Sequence, residues 1–113
     1  FVEDTCNGMV ALAKCDQAIG REVNIGSGTE IAIGDLAKLI AEIIGASAPI
    51  ISDSVRQRPE KSEVERLVCD NRLIYQLTGW SPQVSLRQGL EKTIAWFQDG
   101  RNLEKFKYDI YNL

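Results

Sequence analysis

Apolar residues recur at helical spacing in four segments of this chain, and each segment stops at a glycine: Gly20, Gly45, Gly79 and Gly100. Glycine enters the left-handed conformation without a Cβ clash, so it is favoured just past a helix end. The pattern predicts a first helix from about Thr5 to Ile19, capped by Asp4 or Thr5. Its buried face would be Cys6, Met9, Val10 and Ala13, with Leu12 and Ile19 off that stripe and covered from another side. A second helix, about Asp35 to Ile44, carries Leu36, Leu39, Ile40 and Ile43 at i, i+3, i+4 and i+7. A short third runs from Asn71 to Thr78, capped by Asp70 and anchored by Leu73, Ile74 and Leu77. The fourth, Leu86 to Asp99, opens on Ser85-x-x-Gln88, a capping-box pattern, and turns Leu86, Leu90, Ile94 and Phe97 inward.

Between these helices lie four short β-like runs: Glu22 to Ile25, Glu30 to Ile33, Pro49 to Ser52 and Arg66 to Cys69. Each holds only two or three residues that favour strands, so the predicted fold is α/β, four helices around a few short strands. The longest irregular stretch is Asp53 to Glu65. After Gly100 the tail Arg101 to Leu113 alternates charges with Phe106, Tyr108, Ile110 and Tyr111, a pattern open to docking on the body or fraying.

Composition narrows the chemistry. With 113 residues, 44% hydrophobic and 26% charged, the chain reads as one small folded domain. No apolar run approaches the ~20 residues of a membrane-spanning helix. A net charge of -3 argues against a nucleic-acid binder. The chain has no histidine, which removes histidine triads, histidine metal sites and histidine acid-base catalysis from these residues. Cys6, Cys15 and Cys69 fit no metal spacing. On one continuous helix Cys6 and Cys15 would point to opposite sides, ~13 Å apart along the axis, too far to bridge. Unpaired cysteines suit a reducing, cytoplasmic setting.

Two segments invite a chemical reading. Asn24-Ile-Gly-Ser-Gly-Thr-Glu30 suggests a phosphate loop, but Ile31 stands where a dinucleotide fingerprint has its third glycine. A β-like run rather than a helix follows, and the lysine of a P-loop is missing, so the segment reads as a tight strand-to-strand turn. The loop Arg56 to Arg66 gathers Arg56, Arg58, Lys61 and Arg66 beside Glu60, Glu63 and Glu65. That mixture suits a solvated loop or an anionic small ligand: a guanidinium fork clamps phosphate oxygens and a carboxylate accepts from sugar hydroxyls. Glu3 and Asp4 precede a helix and suit its N-terminal dipole better than acid-base work. Trp80, Trp96 and Phe97 read as packing residues.

An ordered series of motifs nevertheless resembles a known family. Phe1-Val-Glu-Asp-Thr5 leads into a helix, and Val23-Asn-Ile-Gly-Ser-Gly28 follows. Glu30-Ile-Ala-Ile33 precedes a Leu-Ala helix, then come Arg58-Pro-Glu-Lys-Ser-Glu-Val64, Cys69-Asp-Asn71, Leu77-Thr-Gly-Trp80-x-Pro82 and a helix ending in Trp96-Phe97. The series is similar to the C-terminal third of the NAD-dependent nucleotide-sugar epimerases and dehydratases of the extended short-chain dehydrogenase/reductase family. Ser62-Glu63-Val64 looks most like the 4,6-dehydratase branch.

The resemblance implies a parent enzyme in which an N-terminal Rossmann domain holds NAD or NADP and a smaller C-terminal domain grips a nucleotide-diphosphate sugar. The sugar would be oxidised at C4, then either dehydrated or reduced again on the opposite face. It implies that Arg58 contacts the diphosphate and that Glu63, two residues later than in the commoner Arg-Pro-Gly-Asp form, contacts the nucleotide ribose. It also implies a homodimeric parent. The family's Tyr-x-x-x-Lys pair is missing, since Tyr75 is followed at that spacing by Gly79 and Tyr108 by Asn112.

The expectation is therefore a fragment. Residues 1–100 would be the nucleotide-sugar-binding domain and 101–113 a tail, with the Rossmann domain absent and no catalytic, cofactor or metal residue present. A chain beginning at Phe1, without a methionine, is expected to be a piece of one of ~300 residues and inactive alone. The alternative is a non-enzymatic protein-interaction or ligand-sensing domain on the same scaffold.

Overall fold

A computed structural model describes residues 1–47, 49–51, 64 and 66–104. They form five α-helices: α1 (Val2–Ala13), α2 (Ile33–Ile44), α3 (Arg72–Thr78), α4 (Leu86–Gln98) and α5 (Gly100–Leu103). A single 3-10 turn, Asp16–Ala18, follows α1. α1 packs on α3, α2 on α4, and α4 on α5.

Local signals account for most of the helix boundaries. Gly45 and Gly79 sit just past α2 and α3 with φ of 71° and 70°. At Gly45 the N–H bonds to the Glu42 carbonyl and the Ala46 N–H to the Ala41 carbonyl, the paired bonds of a Schellman ending. At α4 the capping box is complete: Ser85 Oγ accepts from the Gln88 N–H at 3.3 Å and Gln88 Oε1 accepts from the Ser85 N–H at 3.0 Å.

Three expectations change. The first helix begins at Val2 and ends at Ala13, so Cys15 lies in the following turn, where its thiol donates to the Leu77 carbonyl. Gly20 still has a positive φ of 74°, but it follows the 3-10 turn rather than a continuous helix. Gly100 does not close α4. Asp99 ends that helix and caps α5 by accepting from the Arg101 N–H, so Gly100 is the first residue of a fifth helix.

The predicted strands are not formed among the described residues. Glu22 to Ile25, Glu30 to Ala32, Pro49 to Ile51 and Arg66 to Cys69 are irregular, Ile33 belongs to α2, and Ser52 lies outside the described residues. A strand exists only through its ladder bonds. Runs of two or three favourable residues supply too little cross-strand packing to hold one. Side-chain contacts join the segments instead, as described below.

The buried face of α1 also differs. Cys6, Met9, Val10 and Ala13 are exposed, while Asp4, Gly8, Ala11 and Leu12 turn toward the body. A Cβ built on Gly8 would lie 2.7 Å from Ile25 and 3.3 Å from Trp80. The close approach of α1 requires glycine there, and an apolar-periodicity pattern cannot register a residue without a side chain. Elsewhere the pattern holds: Leu36, Leu39, Ile40 and Ile43 of α2 are half-buried, as are Leu73 and Leu77 of α3. Ile74 is the one fully buried large apolar side chain among the described residues. On α4, Leu90, Ile94 and Phe97 face inward but Leu86 is exposed.

Candidate functional site

Arg58 and Glu63 lie outside the described residues, as do Arg56 and Lys61. The structure describes what stands beside that segment. Val64, Arg66 and Leu67 line one side of a cleft of about 550 Å³, and Glu30 to Ile33 with Asp35 line the other. Arg66 grips Glu30 with both ends of its fork, Nε donating to Oε2 at 3.1 Å and Nη2 to Oε1. The Glu30 carboxylate in turn holds the Arg66 guanidinium above its ordinary pKa. A planar fork on a carboxylate fixes orientation as well as distance. The pair therefore ties the chain that leaves the 52–63 segment to the chain that enters α2.

The Gly-Ser-Gly turn is held to the segment that enters α3. Asn71 Nδ2 donates to the Gly26 carbonyl at 2.8 Å. A Cβ on Gly26 would meet Cys69 Cβ and Sγ at 2.7 Å, and Gly28 takes a φ of 71° beside the Asn71 amide. Ser27 and Thr29 close the turn with a 3.0 Å hydroxyl contact. Two motifs that stand 45 residues apart, Gly26-Ser-Gly28 and Cys69-Asp-Asn71, are thus one structural unit. Asp70 supports it by accepting from the Arg72 N–H at 3.1 Å and clamping the Arg72 side chain at 2.9 and 2.6 Å. The Arg72 guanidinium, then its backbone N–H, bring the Asp70 carboxyl down to about 2.

The N-terminal motif converges on the same region through Asp4. This carboxylate is buried, 6% exposed, and accepts from the Gln83 and Val84 N–H groups at 3.0 Å each. The Gln83 bond, followed by that of Val84, lowers the Asp4 pKa against the opposing effect of burial. Phe1, Asp4, Ile25, Gly26, Trp80 and Val84 then line one small cleft. Glu3 pairs with Lys92 at 2.8 Å, and Lys92 stands 5.0 Å over the Phe1 ring. Both carboxylates do lie in the first turn of α1, where the helix dipole favours them. Their long-range partners were not legible. The Glu30–Arg66 pair likewise carries no local signal, since its members are 36 residues apart.

The described residues do not form a dinucleotide site. The Gly-Ser-Gly turn opens no helix, α2 begins only at Ile33, and Asn71 occupies the Gly26 carbonyl. No group of three His, Cys, Asp or Glu among the described residues is placed to hold a metal ion. Cys6, Cys15 and Cys69 are free thiols. No helix of the described residues is long and apolar enough to cross a membrane.

Residues 1–93 match the family described as GDP-mannose 4,6 dehydratase. GDP-L-fucose synthase 1 of Arabidopsis thaliana is 37% identical over 97 residues, 85% of this chain and 28% of that protein. UDP-glucuronic acid decarboxylase 1 of Xenopus tropicalis is 35% identical over 98 residues, 87% of this chain and 22% of that protein. Among solved structures, an epimerase from Methanothermobacter thermautotrophicus aligns with a TM-score of 0.81 and 34% identity, over 93% of this chain and 30% of that one. The chain spans about a quarter of the length of the curated relatives it matches.

Proposed function

The chain belongs to the GDP-mannose 4,6 dehydratase family, as a C-terminal region of the extended short-chain dehydrogenase/reductase nucleotide-sugar epimerases and dehydratases, and from that premise we propose its role. Residues 1–100 bind the nucleotide diphosphate of a sugar substrate for an NAD(P)-dependent epimerase or dehydratase. Arg58 holds the diphosphate and Glu63 the ribose. The cofactor and the proton-transfer residues belong to a Rossmann domain outside these residues, so this chain alone does not turn over substrate.

The observation that carries this reading is the family match over residues 1–93, which embraces both Arg58 and Glu63. The geometry supports it in two ways. The Glu30–Arg66 pair holds together the two sides of a cleft whose residues Val64, Arg66 and Leu67 follow Arg58 and Glu63 closely in sequence. Orienting a substrate through contacts remote from the reacting atoms is a recognised source of catalytic rate. In addition, Val2, Met9 and Val10 present an apolar stripe on α1, between 51% and 63% exposed, the kind of surface a further domain covers.

NMR titration of the chain with GDP, UDP and dTDP tests the binding role. Resonances of residues 56–64 are expected to shift, with affinity weaker than about 1 mM if only half of the site is present. A silent loop together with a concentration-dependent dimer would favour a protein-interaction module instead. In the full-length enzyme, Arg58→Ala is expected to raise KM by more than about tenfold, and an unchanged KM refutes the assignment of Arg58.

A further inference from the structure

Two stretches far apart in the sequence are tied to one another at both ends. At one end the Arg66 guanidinium forks onto the Glu30 carboxylate, Nε donating to Oε2 at 3.1 Å. At the other, Asn71 Nδ2 donates to the Gly26 carbonyl at 2.8 Å, and a Cβ on Gly26 would meet Cys69 at 2.7 Å. Residues 66 and 71 meet residues 30 and 26 in reverse order, so the stretches run antiparallel. Side chains rather than a strand ladder join them.

The two ties differ in what surrounds them. Cys69 and Asn71 are half-buried, whereas Val64, Leu67 and Val68 remain 65%, 82% and 48% exposed. Apolar packing therefore does little to hold residues 64 and 66–68. Among the described residues, the Arg66 fork is the one hydrogen-bonded tie they have. In sequence Glu63 stands three positions before Arg66 and eight before Asn71. Loss of the fork therefore moves the next tie after Glu63 five residues further along. Ordering a residue on binding costs conformational entropy, so a longer untied stretch lowers affinity.

We infer that Arg66 is a positioning residue for nucleotide binding: its fork on Glu30 anchors the chain three residues after Glu63 and touches no ligand itself. The inference rests on the ribose contact proposed above for Glu63. A guanidinium can also grip phosphate directly, and the sign of one substitution separates the two roles. If Arg66 held the diphosphate, the Glu30 carboxylate would compete for it, and Glu30→Gln would tighten binding. If Arg66 acts through position, Glu30→Gln weakens binding.

The test is NMR titration of the full chain with whichever of GDP, UDP and dTDP shifts it most. Glu30→Gln and Arg66→Gln are each expected to raise Kd about threefold, the scale of an exposed pair. In a Glu63→Ala background, Glu30→Gln should leave Kd where it stands, since the anchor then has no ribose contact to position. The Ile74 methyl should keep its resonance throughout, which separates a lost anchor from a lost fold. Tighter or unchanged binding in Glu30→Gln overturns the inference, and so does a full threefold effect in the Glu63→Ala background. Failure of the underlying reading looks different: Glu63→Ala binds as the unaltered chain does, or no nucleotide shifts the chain, and both conclusions fall together.

Discussion

The α1–α3 side and the α2–α4 side of this molecule are built on opposite terms. On its inner face α1 presents a carboxylate, a glycine and an alanine beside a single leucine: Asp4, Gly8, Ala11 and Leu12 face inward while Met9 and Val10 stay exposed. Between α2 and α4 the contact is ordinary apolar packing, with the stripes at their expected spacing and a capping box at the start of α4. Apolar packing keeps helix axes 8–10 Å apart. A helix that must lie against backbone needs small residues on its inner face and polar groups to satisfy the donors it covers. Asp4 does the latter for Gln83 and Val84. Hydrophobic periodicity therefore reads α2, α3 and most of α4 correctly and misplaces the inner face of α1.

The sharpest way to break the contrast is at its centre. Ile74→Ala removes the one fully buried large apolar side chain among the described residues and is expected to cost about 2–5 kcal/mol, measured by urea denaturation. Next comes a paired comparison on α1. Gly8→Leu forces a side chain into Ile25 and Trp80 and should destabilise by about 1–3 kcal/mol. Met9→Ser, one residue on, should stay within about 0.5 kcal/mol in this chain. Equal effects would show that α1 buries its apolar stripe after all. A smaller change, Ser85→Ala, removes one half of the capping box and should cost about 1 kcal/mol.

Acid separates the two sides through Asp4 and Asp70. Both carboxyls titrate below their ordinary value of 3.8 in the folded chain, Asp70 at about 2. A carboxyl with a depressed folded pKa contributes stability above its unfolded pKa and loses it as pH falls through the folded one. Thermal unfolding between pH 6 and pH 2 should accordingly show Tm falling below about pH 4. The fall should be shallower in Asp4→Asn, which starts from a lower Tm at neutral pH. An unaltered acid profile in that variant would remove Asp4 from the role of tying α1 to residues 83 and 84.

Little of the candidate site was legible by spacing alone. Arg58 and Glu63 came from an ordered resemblance, and they lie outside the described residues. The Gly26-Ser-Gly28 segment was read as a strand-to-strand turn; the turn forms, but no strand flanks it among the described residues. Its partner was not visible, because Asn71 stands 45 residues from Gly26 and no local pattern links the two.

By itself the amino-acid sequence determined α2, α3 and α4, the glycine endings at Gly45 and Gly79 and the capping box at Ser85, because each depends on residues within about four positions of one another. Tertiary structure decided the rest. It chose which face of α1 turns inward, left the β-like runs without a ladder, and sent Asp4, Glu30 and Asn71 to partners 79, 36 and 45 residues away. Backbone donors awaiting a carboxylate, and a glycine awaiting a neighbouring side chain, have no periodicity. They take on meaning only when distant segments meet.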